Sequence, residues 1–268
     1  MNTTFKARLV IIVALIVNAA ETDAQGIRLG EVILISASPL KKEAKPEEFE
    51  ACIKKIAPAW NKKNPAELQF FRADRGGRKG EVLLVCAAAK EQDRSALGAD
   101  SPFTDNALSP ASAPCRPSDF LSDPGAYTEY RLIGAEKFKS APVVGILGVH
   151  YIKVKKDRSQ EFEKFVVDKL HPAVGHLFPD LQLLYYKSVA GENTGSYITI
   201  FALASMAARD KYWPGGKDAE ILKQSFKPLT GLAKELGPYL EEGSYLEPTT
   251  GAAAAYFESR QWTDFVIK

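Results

Sequence analysis

Three histidines are the side chains of this sequence best suited to moving protons near neutral pH, and each stands in a different context. His150 lies between Val149 and Tyr151 in an apolar run with strand character. Pointed into an enclosed space, its imidazole could serve as the catalytic acid or base, or as an axial ligand. A hydrogen-bonded core histidine would carry the same signature, so both readings stand. His171 falls opposite the apolar face of its helix and reads as surface, while His176 borders that face five residues later. Helical metal ligands need a shared side, which this spacing does not give, so no metal site is expected.

Around His150 the sequence offers aromatic residues that could line a ligand pocket: Tyr151, Tyr185, Tyr186 and Trp213, with Tyr197 and Trp262 further off. Strand side chains alternate, so Tyr185 and Tyr186 must point to opposite faces. Core packing explains the same residues without a ligand. Arg131, like Arg72 and Arg75, could meet an anionic group, although arginines on hairpins are commonly solvated. There is no nucleophile elbow, phosphate-binding glycine loop with its lysine, or dinucleotide fingerprint, and no cofactor is predicted.

The chain has 268 residues and a formal net charge of +2, with no lysine and arginine cluster lacking nearby acids. Nucleic acid needs a concentrated positive surface and is excluded as a partner. Lys6 and Arg8 precede the apolar run Leu9 to Val17, and small residues follow to Ala24. That run is shorter than the roughly 20 residues of a bilayer span, so residues 1–24 read as a secretory signal and the mature protein as periplasmic or secreted. An uncleaved interfacial anchor is the alternative. Cys52 and Cys86 occupy apolar patterns and read as buried thiols, with a bond between them as the alternative; Cys115, in a loop, reads as unpaired.

The elements that would position these residues follow one order twice. Pro46 to Lys62 reads as a helix with Phe49, Cys52, Ile53, Ile56 and Trp60 on one face, and Ser159 to Leu177 as its counterpart with Phe162, Phe165, Val166, Leu170 and Val174. Pro58 and Pro172 interrupt them at matching points, predicting a break in each. Hairpins follow at 68–88 and 181–204, and strands precede and close each unit at 31–37, 127–133, 143–154 and 262–267. A helix is predicted over 205–213 and a longer one over 218–240. At the equivalent place in the first half, 92–125 is rich in Ser, Pro, Ala and Asp and reads as an irregular loop. The order predicts an α+β fold of two tandem ferredoxin-like (βαββαβ) repeats, 25–138 and 139–268, whose antiparallel sheets pack as an intrachain pseudo-dimeric α+β barrel.

The segments "HYIKVKKDRSQEFEKFVVDKLHPAV", "LYYKSVAGENTGSYITIFALAS" with "AARDKYWP", and "WTDFVIK" resemble the dimeric α+β barrel superfamily of antibiotic-biosynthesis monooxygenase-like, stress-responsive barrel and NIPSNAP-like proteins. That resemblance covers most of the second half and, more weakly, the first. It implies a barrel that binds or transforms a small apolar or aromatic molecule in its cavity, as a cofactor-independent oxygenase, isomerase or lyase. A non-catalytic binding or protein-interaction module and a haem-handling protein are the alternatives. The barrel formed within one chain implies a monomer or a weak homo-oligomer. The expected pocket lies near His150 and Trp213, with the loop 92–125 as a lid at its mouth.

Overall fold

A computed structural model of the chain describes residues 27–76, 80–97, 102–108, 113, 115–123, 125–135, 143–174, 181–191, 194–214, 220–221, 224, 227–241 and 263–266. Strand β1 (Ile27–Arg28) leads into β2 (Val32–Ser38), and helix α1 (Pro46–Lys63) follows. Proline at the start of α1, Glu47 and Glu48 in its first turn and Lys62 and Lys63 in its last all suit the helix dipole. The break expected at Pro58 does not occur, and α1 runs through it. Next come β3 (Glu67–Gly76), β4 (Val82–Ala88), α2 (Glu91–Ser95), α3 (Asp105–Leu108) and β5 (Thr128–Leu132).

Beyond these lie β6 (Val143–Val144), β7 (Ile146–Ile152), α4 (Ser159–Phe165), a π-turn (Val166–Leu170) and α5 (His171–Val174). The remaining elements are β8 (Leu181–Gly191), β9 (Tyr197–Leu203), α6 (Met206–Tyr212), α7 (Thr230–Leu236) and β10 (Thr263–Val266). Of the long helix predicted over 218–240, the described part contains α7 flanked by 3-10 turns at Lys227–Leu229 and Gly237–Tyr239. No helix among the described residues is long and apolar enough to cross a membrane.

Eight strands form one closed antiparallel barrel in the order β10-β3-β4-β2-β5-β8-β9-β7, and β7 bonds back to β10. The expectation of two tandem repeats with separate sheets packed together is corrected by this continuity. β5 bonds β2 on one side and β8 on the other, while β10 bonds both β3 and β7. The described chain is therefore a single α+β ferredoxin-like domain built on one continuous barrel sheet, with β1 and β6 paired in a separate two-stranded sheet. Closure satisfies backbone groups that a sheet edge would leave open.

Three apolar clusters show how the residues divide. Ile33, Phe71, Leu83, Val85, Tyr130, Leu147, Val149, Leu184, Tyr186, Ile198 and Ile200 pack against one another inside the barrel. On the outer surface, α1 buries Phe49, Cys52, Ile53, Ile56 and Trp60 against β2, β3 and β4. The helices of the second half cover Tyr185, Tyr197 and Phe201 in the same way. Every residue of β4 and of β9 is buried because those strands have an apolar layer on both faces.

The segment expected to be an irregular lid is instead bound to the outer layer of the first half. Phe103, Leu108 and Leu121 are buried beside α1, and Ser118 donates its backbone N–H to Asp105 at 3.1 Å. Cys115 is disulfide-bonded to Cys52, 63 residues away in sequence. The readings of Cys52 as a buried thiol and Cys115 as unpaired are thus corrected, while Cys86 is the free, buried cysteine its apolar pattern suggested. Cys86 sits on β4 facing the helical layer, where burial pushes its thiol up to about 12, against a smaller opposing effect of Arg94.

Candidate functional site

Alternation along β7 decides where His150 points. Val149 belongs to the barrel interior, so His150 faces outward, under the helical layer of the second half. It is opposite Thr199 of β9, which is in turn opposite Tyr185 of β8. Its ring lies 5.3 Å from Phe201, whose ring is 6.1 Å from Trp213. The structure thereby brings His150, Tyr185 and Trp213 into one layer. Tyr151 and Tyr186 are on the other side of the sheet, packed with the interior cluster. Tyr186 donates its hydroxyl hydrogen to the Gly30 carbonyl at 3.0 Å, so that hydroxyl ties β8 to the start of β2.

Burial is complete at His150, which is 0% exposed, and desolvation holds its pKa well below the usual 6.5. The imidazole is neutral at neutral pH and is not available as a proton donor. Haem ligation would need a nitrogen that a macrocycle can reach, so His150 does not fit as an axial ligand. Below about pH 6.5 the unfolded chain takes up a proton at this residue that the folded chain does not. Stability therefore falls as pH drops from 6.5, by up to about 1.4 kcal/mol per unit, and is unaffected above it. Urea unfolding at pH 7.5 and pH 5.5 checks this: His150→Phe should lose about 1 kcal/mol less than the parent between the two. Equal losses would show that His150 does not titrate as described.

His171 was predicted to lie on the surface. It is half-buried, with its ring 5.4 Å from that of Tyr185. The cause is Pro172, which has no N–H to continue the α-helical ladder. The chain responds with a π-turn in which the His171 N–H bonds back to the Val166 carbonyl. One extra residue in a turn sets the following side chains back by about 100° relative to a regular helix. That rotation carries His171 onto the sheet. His176 lies outside the described residues.

Where β5 meets β8, a groove of about 430 Å³ opens between the sheet and α4. Its apolar side chains are Ile133, Val167 and Val189, and Gly134 and Leu132, whose side chain packs with the barrel interior, also line it. Arg131, Lys164, Lys187, Glu163 and Asp168 supply its charges. Glu163 Oε1 accepts hydrogen bonds from Lys187 Nζ and from the Tyr197 hydroxyl, each at 2.7 Å. Burial raises the Tyr197 pKa, and the bond to Glu163 adds to the shift. Arg131 donates to Glu91 at 2.8 Å. The groove adjoins the buried row, since Gly134 approaches both Val167 and His171.

Gly134 has a φ of +73°, and a β-carbon there would come within 2.9 Å of Val167 Cγ2. Gly134→Ala should cost about 1–2 kcal/mol for the left-handed backbone alone, read as a lower urea midpoint. An unchanged midpoint would show that the turn relaxes.

Of the residues proposed from sequence, Arg131 belongs to this groove, and His150, Tyr185 and Trp213 to the layer beside it. Glu163, Lys187, Gly134 and His171 were missed. A mid-helix proline was the visible signal for His171. Nothing local signalled the groove, because its walls come from strands joined only by long-range pairing.

No protein-family profile and no curated protein matches the sequence. Among solved structures, the chain is similar to a putative monooxygenase from Lactobacillus acidophilus, at 8% identity over 75% of this chain and 87% of that one, with a TM-score of 0.44. An anthrone oxidase-like protein aligns at 11% identity over 91% and 93% of the two chains, with a TM-score of 0.45. A heme-binding protein from Thermus thermophilus aligns at 10% identity over 75% and 84%, with a TM-score of 0.42. At these values no residue role carries over from those proteins to this chain.

Proposed function

We propose that this protein binds a small organic molecule in the groove at the β5–β8 junction, beside the His171, Tyr185 and His150 row. The observation that carries the reading is the contrast between two spaces. Among the described residues, Ile33, Val85, Leu184, Tyr186 and Ile200 pack against one another in the barrel interior, as side chains can fill an eight-stranded barrel. The groove has an apolar floor, a few polar groups and a volume in the range of about 300–1,000 Å³ common to small-ligand clefts. The proposed site lies on the outside of the sheet, whereas the sequence suggested the barrel cavity. A neutral, enclosed His150 favours binding over proton-transfer catalysis.

Thermal-shift screening of small aromatic compounds tests this reading. Hits should stabilise the parent and not Val167→Trp, whose side chain fills the groove. Hits that stabilise both proteins equally would place the site elsewhere.

Action outside the cytoplasm is part of the same proposal. It is supported by the charged and apolar pattern of residues 6–24 and by the Cys52–Cys115 disulfide, a bond that persists in oxidising compartments. The mass of the mature protein checks it: a chain beginning after Ala20 or Ala24 is expected, and an intact N-terminus recovered from the cytoplasmic fraction would refute export.

A further inference from the structure

Arg131 of β5 and Lys187 of β8 are direct cross-strand partners, and both line the groove. Like charges placed opposite each other on a ladder destabilise it. A sequence under no other demand has no reason to place two cations there. Lys164 adds a third from α4, against two acids, Glu163 and Asp168.

Those acids are already engaged. Glu163 Oε1 receives both Lys187 and Tyr197, and Asp168 pairs with Lys164 at 2.5 Å. Arg131 has its ion pair with Glu91, but both side chains are about half exposed, at 53% and 50%. Such a pair is weak and salt-screened, so a ligand can replace it at little cost. Arg131 also has five N–H donors, of which the contact with Glu91 uses one. The apolar side chains of Ile133, Val167 and Val189 line the same groove as these cations.

Resting on the groove as the binding site, we propose that its ligand is an amphipathic organic anion. An apolar or aromatic body covers the floor, and one carboxylate or equivalent group bridges Arg131 and Lys187. Binding neutralises the adjacent cations, which gives the ligand an electrostatic gain that a neutral analogue lacks.

Two dyes that share one scaffold separate the possibilities: 8-anilinonaphthalene-1-sulfonate, which carries an anionic group, and N-phenyl-1-naphthylamine, which does not. Fluorescence titration should show the sulfonate binding about tenfold more tightly, since a charge-assisted hydrogen bond contributes about 1.5–3 kcal/mol and 1.4 kcal/mol is a factor of ten. Lys187→Met and Arg131→Gln should each weaken the sulfonate about five- to tenfold and leave the neutral dye unchanged. Arg131 is exposed, so its variant tests the idea even if Lys187→Met folds poorly. Equal binding of both dyes, abolished by Val167→Trp, would overturn the anion preference and leave the groove reading intact. A preference for the sulfonate that survives both charge substitutions would overturn the bridging role. If neither dye binds, the inference and the groove reading fail together.

Discussion

Removing the Cys52–Cys115 disulfide is expected to lower the unfolding free energy by about 4 kcal/mol, from the entropy of a closed loop of this length in the unfolded chain. The bond spans 63 residues, which include β3, β4, α2 and α3. It also fixes the 102–123 region onto α1, where Phe103, Leu108 and Leu121 complete the outer core of the first half. Urea unfolding with and without a dithiol reductant, and of the Cys52→Ala/Cys115→Ala protein, measures the effect. Cys86 supplies the internal control, because its buried, protonated thiol is no partner for exchange in the folded state. Cys86→Ala should therefore retain the reductant-sensitive step. A reductant effect below about 1 kcal/mol would mean that the unfolded chain is already constrained over this loop, contrary to the entropy argument.

Glu129→Ala is expected to destabilise the protein by about 3–5 kcal/mol, the cost of removing one member of a buried ion pair. Arg94 of α2 donates to Glu129 of β5 at 2.8 Å, and their side chains are only 10% and 9% exposed. Glu129 pairs with Leu34 across the ladder and flanks the register shift where β5 joins β8. The contact therefore holds α2 against the strand that connects the two halves of the barrel. Replacing both partners with apolar residues, Arg94→Met and Glu129→Leu, should recover most of the loss, since no isolated charge then remains. A double variant as unstable as Glu129→Ala would show that the pair makes a net favourable contribution through geometry that apolar side chains do not reproduce.

Local elements were legible where one periodicity dominated. Phe49, Cys52, Ile53, Ile56 and Trp60 recur at helical spacing, and all are buried on one side of α1. The apolar runs of β4 and β9 were legible as hairpin strands, and every residue of both is buried. Pairing between distant strands was not legible. Alternation shows which residues share a face, but nothing in β5 identifies β8 as its neighbour, or β3 as that of β10. The sequence echo was therefore read as two sheets where hydrogen bonding makes one.

The site was legible only in part for the same reason. His150, Tyr185 and Trp213 were recognisable as residue types, yet the side of the sheet they occupy depends on where the interior lies. His171 was misplaced because regular helical spacing was read up to Pro172, where the break was expected, whereas the π-turn already shifts the register over Val166–Leu170. Cys52 and Cys115 could not be matched from spacing, since Cys86 fits the same apolar pattern as Cys52.

The central claim is that ligand binds outside the barrel, at the β5–β8 junction, and not within it. Methyl NMR of protein labelled at Ile, Leu and Val, titrated with the tightest compound from the thermal-shift screen, reads both spaces in one spectrum. The account predicts that Ile133, Val167 and Val189 shift while Ile33, Val85, Leu184 and Ile200 do not. Shifts confined to those interior methyls would contradict it.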